Sequence, residues 1–186
     1  MSDPAATVET MKSLFTRFRI LNATRALVSE VGVERVTMRR IAALANITAP
    51  AIYKHFRNKR ALLDEVIRTG YIELTGRMVP GRRASSGAQG LRIMTEAVAR
   101  FAADFPKLTQ MMLAPLTDDD GPVGFLETQT GRCRGGILGI YNPAVSAALL
   151  WAQMRGALSR RQEKRPFEPH FDWTLSAVLP PVAAAA

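Results

Sequence analysis

The chain has 186 residues, 47% of them hydrophobic and 22% charged, proportions that exclude wholesale disorder and suit one ordinary domain or two small ones. Its 25 Lys and Arg against 16 Asp and Glu give a formal net charge of +9, which brings nucleic acid and anionic membrane surfaces forward as partners. A single cysteine, Cys133, excludes an internal disulfide, and with only His55 and His170 beside it a four-ligand zinc site cannot be assembled within one chain.

The first ten residues read as a loose tail. Apolar residues then recur at helical spacing from Met11 to about Val31 (Leu14, Phe18, Leu21, Ala26, Leu27, Val28), and Gly32 is placed to end that helix. Thr37 is a good N-cap for a short helix with Met38, Ile41, Leu44 and Ala45 on one face and Arg39 and Arg40 pointing elsewhere. Asn46 suits a tight turn, since it tolerates positive φ better than most residues. Thr48 is expected to cap a third helix, with Pro50 in its first turn, where a missing N–H costs nothing. Ile52 and Phe56 then fall inside, and Pro50, Tyr53 and Lys54 outside. Asn58 caps a longer fourth helix running to about Val79, and Pro80-Gly81 with Ala84 to Gly87 marks a break.

Beyond the break the helical pattern resumes from Leu91 to Phe105, and again from Pro106 to near Leu116. Asp118 to Pro122 reads as loop, and Phe125 to about Ile140 as a glycine-interrupted helix. A strong helix starts at Asn142-Pro143 and runs through Trp151 to Leu158, and a last segment covers Pro169 to Val178. No alternating strand pattern and no internal repeat is present. The expected fold is all-α, with helical segments grouped over 11–57, a connecting helix over 58–79, and a further helical group over 88–179.

The charge is unevenly placed. Between Arg35 and Leu63 lie seven basic residues (Arg35, Arg39, Arg40, Lys54, Arg57, Lys59, Arg60) and no acid, so this window holds +7 of the +9 and leaves +2 for the rest. Helical surfaces usually alternate signs, because opposite charges three or four residues apart are mildly stabilising. An acid-free window forgoes such pairs and points to an anionic partner.

Thr37 to Phe56 has the layout of a helix–turn–helix, in which one helix fills the DNA major groove and its outward side chains read base edges. Two ordinary helices of a bundle would share the spacing. Lys59 and Arg60, however, sit in the first turn of the fourth helix, where the macrodipole prefers acids. Basic residues belong there if the helix N–H groups and the lysine together hold a phosphate. Thr48 and His55 are placed to add phosphate hydrogen bonds.

Thr37-Met38-Arg39-Arg40-Ile41-Ala42, followed by Ile52-Tyr53-Lys54-His55-Phe56-Arg57-Asn58-Lys59-Arg60-Ala61-Leu62-Leu63, strongly resembles the DNA-binding domain of TetR-family regulators over roughly residues 15 to 70. The resemblance implies a homodimeric bacterial transcription factor, usually a repressor, bound to a palindromic operator in double-stranded DNA and released by a small effector. It assigns backbone contacts to Thr37, Tyr53, His55 and Lys59, and base reading to Arg39, Ala49, Pro50 and Lys54. With Arg40 and Thr48 these complete the candidate DNA-binding set. Asn46 stands where the family usually has Gly.

In the second half, Phe101 to Leu108 with Met111-Met112 resembles a segment of one branch of the family's ligand-binding domains. Trp151-Ala152-Gln153-Met154-Arg155-Gly156 resembles that branch's Trp-x-x-x-His-Gly pattern, with Arg155 in place of His. Candidate lining for a hydrophobic effector is Met94, Phe101, Phe105, Met112, Phe125, Trp151, Met154 and Arg155, with Met111 beside them; simple core packing is the competing reading for each. The resemblance implies a helix–turn–helix DNA-binding domain over 11–57, a connecting helix over 58–79 and a helical ligand-binding and dimerisation domain over 88–179; the family's dimer interface would fall on about 142–163 and 167–179, and Pro180-Pro181 is expected to cut the last helix short.

No bilayer-spanning stretch occurs, and the opening Met1 to Thr7 does not read as a signal peptide, so a cytoplasmic protein is expected. Neither histidine has a Ser or Cys nucleophile near it in sequence, and Gly131 to Gly136 lacks the Lys-Ser/Thr of a phosphate loop. No enzyme, metal or cofactor is expected. The rival reading is a helical interaction protein whose basic region meets an acidic protein or an anionic membrane.

Overall fold

The computed structural model describes residues 4–113 together with positions 148, 151, 152 and 156, and side chains from residue 10 onward. Every regular element among the described residues is helical. In chain order these are α1 (Pro4–Val31), a turn of 3-10 helix (Val33–Arg35), α2 (Met38–Leu44), α3 (Ala49–Tyr53), α4 (Lys59–Arg82), α5 (Gly87–Asp104) and α6 (Pro106–Leu113). The chain divides into two compact units, Met1–Gly70 and Tyr71–Ala186. Among the described residues no helix is long and apolar enough to cross a membrane.

In the first unit α1 begins at Pro4 and not near Met11, so the expected tail is helical. Pro4 in the first turn, followed by two alanines, makes a favourable start. The buried face of α1 is Ile20, Ala23, Thr24, Leu27 and Val28, a run of i, i+3, i+4, i+7 and i+8. Thr24 is buried without penalty because its hydroxyl donates to the Ile20 carbonyl at 2.8 Å. Leu14 and Phe18, expected with this face, lie on the opposite side, 57% and 60% exposed. α1 carries apolar residues on two faces, and periodicity alone cannot say which of them the neighbouring helices will cover. The helix stops at Gly32, whose φ of 83° few other residues adopt.

α2 packs on α1 through Ile41 and Ala42, with Ala45 following in its cap. Leu44 was expected on that face but is 54% exposed, because at about 100° per residue it lies about 100° from Ala45 and about 160° from Ala42 around the helix. α2 ends in a left-handed residue, Asn46, at φ 51°. The Ile47 N–H reaches back to the Ala42 carbonyl at 3.0 Å and the Asn46 N–H to the Ala43 carbonyl at 3.2 Å. That pair of bonds closes the helix in a Schellman motif and turns the chain into α3.

The second unit contains the distal part of α4, α5 and α6. α4 does not break at Pro80-Gly81 but continues to Arg82. Gly81 packs so tightly that a Cβ there would stand 2.6 Å from the Gly90 carbonyl oxygen and 2.6 Å from Met94 Cγ. This close α4–α5 contact offsets the hydrogen bond that Pro80 cannot make. Ser86 caps α5 by accepting from the Gln89 N–H, and Leu91, Met94, Val98 and Phe101 form its buried stripe. The Tyr71 hydroxyl donates to the Met112 carbonyl at the end of α6, at 2.8 Å. Positions 148, 151, 152 and 156 are helical, with Trp151 buried and Ala148 and Ala152 exposed. The loop at 118–122 and the segments expected over 125–140 and 169–178 lie outside the described residues, as do Cys133 and His170.

Candidate nucleic-acid interface

Three short pieces of backbone present the basic window, and each is held by a different device. Thr37 is the N-cap of α2: its backbone is extended (φ −128°, ψ 152°) and its Oγ1 accepts from the Arg40 N–H at 3.3 Å. Arg39 and Arg40 project from the first turn and are exposed. Arg40 bends back, its Nη1 donating to the Arg35 carbonyl at 3.1 Å.

α3 has five residues, far too short to be stable as an isolated helix. Ile52 is fully buried and Phe56, just beyond the helix, nearly so; these two pin it to the unit's core. Pro50, Tyr53 and Lys54 are exposed on the other side, and Ala49 is half-buried. Tyr53 keeps 53% of its surface in solvent, unusual for so large a ring. Thr48 occupies the N-cap position, but its side chain makes no capping bond, contrary to expectation. The reason is local: Pro50 has no N–H to offer, and the Ala51 N–H already bonds the Thr48 backbone carbonyl at 3.0 Å. The exposed Thr48 hydroxyl therefore has no part in closing α3.

α4 opens at Asn58, whose Oδ1 accepts from the Ala61 N–H at 2.8 Å. Lys59 is half-buried and turns one of its three donors to the Val33 carbonyl at 3.3 Å. That contact ties the start of α4 to the turn after α1 while leaving the ammonium charge beside the helix N-terminus. His55 is half-buried. Arg60 departs from the reading of an unpaired basic window: its Nε donates to Asp64 Oδ1 at 2.9 Å, across the window's edge. Asp64 lies one residue beyond the acid-free stretch, and an i,i+4 pair needs no more.

Two arginines of α1 matter here that sequence reasoning missed. Arg17 donates to the His55 carbonyl at 3.1 Å, pairs with Glu65 Oε1 at 3.2 Å and lies 4.3 Å above the Phe56 ring. Arg19 donates through Nη2 to the carbonyls of Ala45 and Asn46. Side chains that meet backbone carbonyls leave no pattern in a sequence, so nothing distinguished these two from surface arginines. Hydrogen bonding from Arg68, reinforced by Arg17 and opposed by partial burial, holds the Glu65 carboxyl below its ordinary range.

Of the residues suggested for an effector site, Met94, Phe101 and Met112 are buried, Trp151 is buried and Phe105 half-buried. Phe101 and Phe105 meet at 5.2 Å between ring centres. The Arg77 guanidinium lies 5.2 and 5.3 Å from the same two rings while pairing with Glu73 and Asp104. Phe125, Met154 and Arg155 lie outside the described residues. In the first unit an open concavity of about 380 Å³ is lined by Phe15, Phe18, Arg19, Asn22, Ala23, Ala26, Leu44 and Ala45.

A family model for bacterial regulatory proteins of the tetR family matches residues 20–66, the stretch that holds α2, α3 and the start of α4. The class A tetracycline repressor protein from transposon 1721 of Escherichia coli is 41% identical over 61 residues, 33% of this chain and 28% of that protein. The matched stretches span between 21% and 54% of the length of the curated relatives. SmeT, the repressor of the Stenotrophomonas maltophilia multidrug efflux pump SmeDEF, has a similar fold at a TM-score of 0.63 and 24% identity, covering 80% of this chain and 79% of that one. AibR, solved in complex with isovaleryl coenzyme A and operator DNA, superposes at a TM-score of 0.65 and 19% identity, covering 90% of this chain and all of that one. The capped α2, the exposed face of α3 and the lysine at the head of α4 occupy the region that matches the family model for bacterial regulatory proteins of the tetR family, and over that region this chain is similar to tetracycline repressors.

Proposed function

We propose that the chain is a DNA-binding transcriptional repressor that acts as a homodimer on a palindromic operator and is released by a small hydrophobic effector. The observation that carries this reading is the outward face of α3. Tyr53 and Lys54 stand exposed on a helix whose other side is locked by Ile52 and Phe56, flanked by Arg39 and Arg40 and by the Lys59-bearing start of α4. α3 would enter the major groove, with Arg39, Ala49, Pro50 and Lys54 at base edges. Thr37, Thr48, Tyr53, His55, Lys59 and Arg40 would meet the backbone. Thr37 still has its hydroxyl proton to donate to a phosphate, since its cap bond uses only the oxygen as acceptor.

The homodimer follows from the reading of DNA: two copies on a two-fold axis match half-sites about one helical turn apart. The buried Met94, Phe101, Met112 and Trp151 support an apolar effector, which would act by favouring a subunit geometry that no longer fits that spacing. SmeT, a repressor, and AibR, solved with isovaleryl coenzyme A and operator DNA, support the operator and the effector by analogy of fold.

Affinity selection on random duplex DNA tests the proposal. An inverted repeat is expected to be enriched, and Tyr53→Ala to weaken binding to it about tenfold or more, the usual scale for one contact to DNA. Retention without sequence preference, lost at moderate salt, would instead be the behaviour of a generic polycation and would refute it.

A further inference from the structure

The two α1 arginines converge on the two ends of α3. Ala45 and Asn46 form the turn that leads into this helix, and Arg19 donates to both of their carbonyls. His55 and Phe56 form the turn that leads out of it. Arg17 takes the His55 carbonyl, stacks on the Phe56 ring and anchors to Glu65 on α4. The carbonyls concerned lie at or just past helix C-termini, where no intrahelical partner remains. A guanidinium suits this task because its planar fork offers several donors in a fixed geometry and can stack on a ring at the same time.

We propose that Arg17 and Arg19 are positioning residues for DNA recognition: they hang α3 between two guanidinium clamps from α1 and so fix the angle and depth at which its outward side chains meet the bases. This rests on the DNA-reading function proposed above. In this role the donors named here serve the protein's own carbonyls and carboxylate and not a phosphate. Their effect on binding passes through α3. A displaced α3 loses base contacts, which depend on angstrom-scale placement, while general attraction to the polyanion persists.

Two measurements on the full chain separate this role from others. Binding is titrated against the selected operator and against a scrambled duplex, each over a range of salt, for the wild type, Arg17→Gln, Arg17→Lys and Arg19→Gln. In parallel, backbone amide chemical shifts of the full chain are recorded without DNA. For Arg17→Gln the ratio of specific to non-specific affinity is expected to fall about ten- to a hundredfold, the worth of one or two base contacts, with the salt slope unchanged. The α3 amide shifts should move in every variant. Arg17→Lys keeps the charge and loses the fork and the stack, so it should show the same pattern even if the glutamine variant fails to fold.

An equal loss on both duplexes together with a salt slope reduced by about one would make Arg17 a phosphate contact and overturn the proposal. An unchanged affinity ratio would overturn it as well. If the wild type shows no sequence preference, the function fails independently. The amide shifts then decide alone: movement confined to 47–56 upholds the clamps, and its absence overturns them.

Discussion

Asn46 is the residue on which the approach to α3 turns. It holds φ 51° and completes the two bonds from Ile47 and Asn46 back to Ala42 and Ala43. A residue with a Cβ and no local hydrogen-bonding group resists this region by about 1–2 kcal/mol, a cost that Asn escapes in part and Gly almost wholly. Asn46→Ala is therefore expected to lower stability by about 1 kcal/mol in urea titration, while Asn46→Gly remains close to the wild type. Equal stability of the alanine variant would mean that the turn does not need a left-handed residue. The sequence announced this position well, because the preference belongs to the residue itself. Lys59 was legible only by half: its place at the head of α4 could be read from Asn58 and the apolar run that follows, but its bond to the Val33 carbonyl could not, since that partner is 26 residues away and has no side-chain identity.

At the scale of elements, helices whose apolar residues formed a single stripe were readable, and those with two were not. α5 shows one stripe, and the apolar residues at helical spacing from Leu91 to Phe101 (Leu91, Met94, Val98, Phe101) are buried, with Ala97 half-buried. α1 shows two, so Leu14 and Phe18 were assigned to the covered side and stand in solvent. α4 was read as ending before Pro80, the residue type that most often ends a helix, and no local rule conveys that Gly81 would gain more by packing on α5. Two glycines of α4 now make opposite predictions. At Gly81 an added Cβ would collide with a backbone oxygen, so Gly81→Ala should destabilise the fold by about 1–3 kcal/mol, as overpacking does. At Gly76 nothing lies within 4 Å of the added atom, so Gly76→Ala should stabilise by about 0.5–1 kcal/mol through the ordinary helical preference. Urea unfolding of both variants checks the pair, and the same sign for both would contradict the close α4–α5 approach.

At the scale of the whole molecule, the charge is the organising quantity. The +7 of residues 35–63 stands against +2 elsewhere, and the two acids that follow directly after that window, Asp64 and Glu65, are engaged by arginines. Glu65 joins α4 to α1 through Arg17, and its depressed pKa couples the fold of the first unit to pH. An unfolded glutamate titrates near about 4.3, and the folded one below that. The stabilisation is therefore complete above the unfolded value and fades as pH falls through the folded one. Thermal melts from pH 7 down to pH 3 should show this contribution intact to about pH 5 and lost progressively below it. Glu65→Gln should start lower at pH 7 and fall less steeply, and parallel curves would exclude Glu65 as the source. The all-helical layout of the described residues and the exposed basic face could be read from the sequence, because capping, spacing and net charge are local or additive. The arginine clamps could not, because they exist only once α1 has been laid across α3.

A five-residue helix anchored by Ile52, Phe56 and two guanidinium groups has a further consequence, for descent. Pro50, Tyr53 and Lys54 carry none of the burial that holds α3 in place. On the DNA-reading function proposed above, substitutions on that face would change what is read without touching what keeps the helix seated, so the scaffold could stay put while the operator changed. The same division lets an engineer randomise three positions on one turn and expect most of the library to fold.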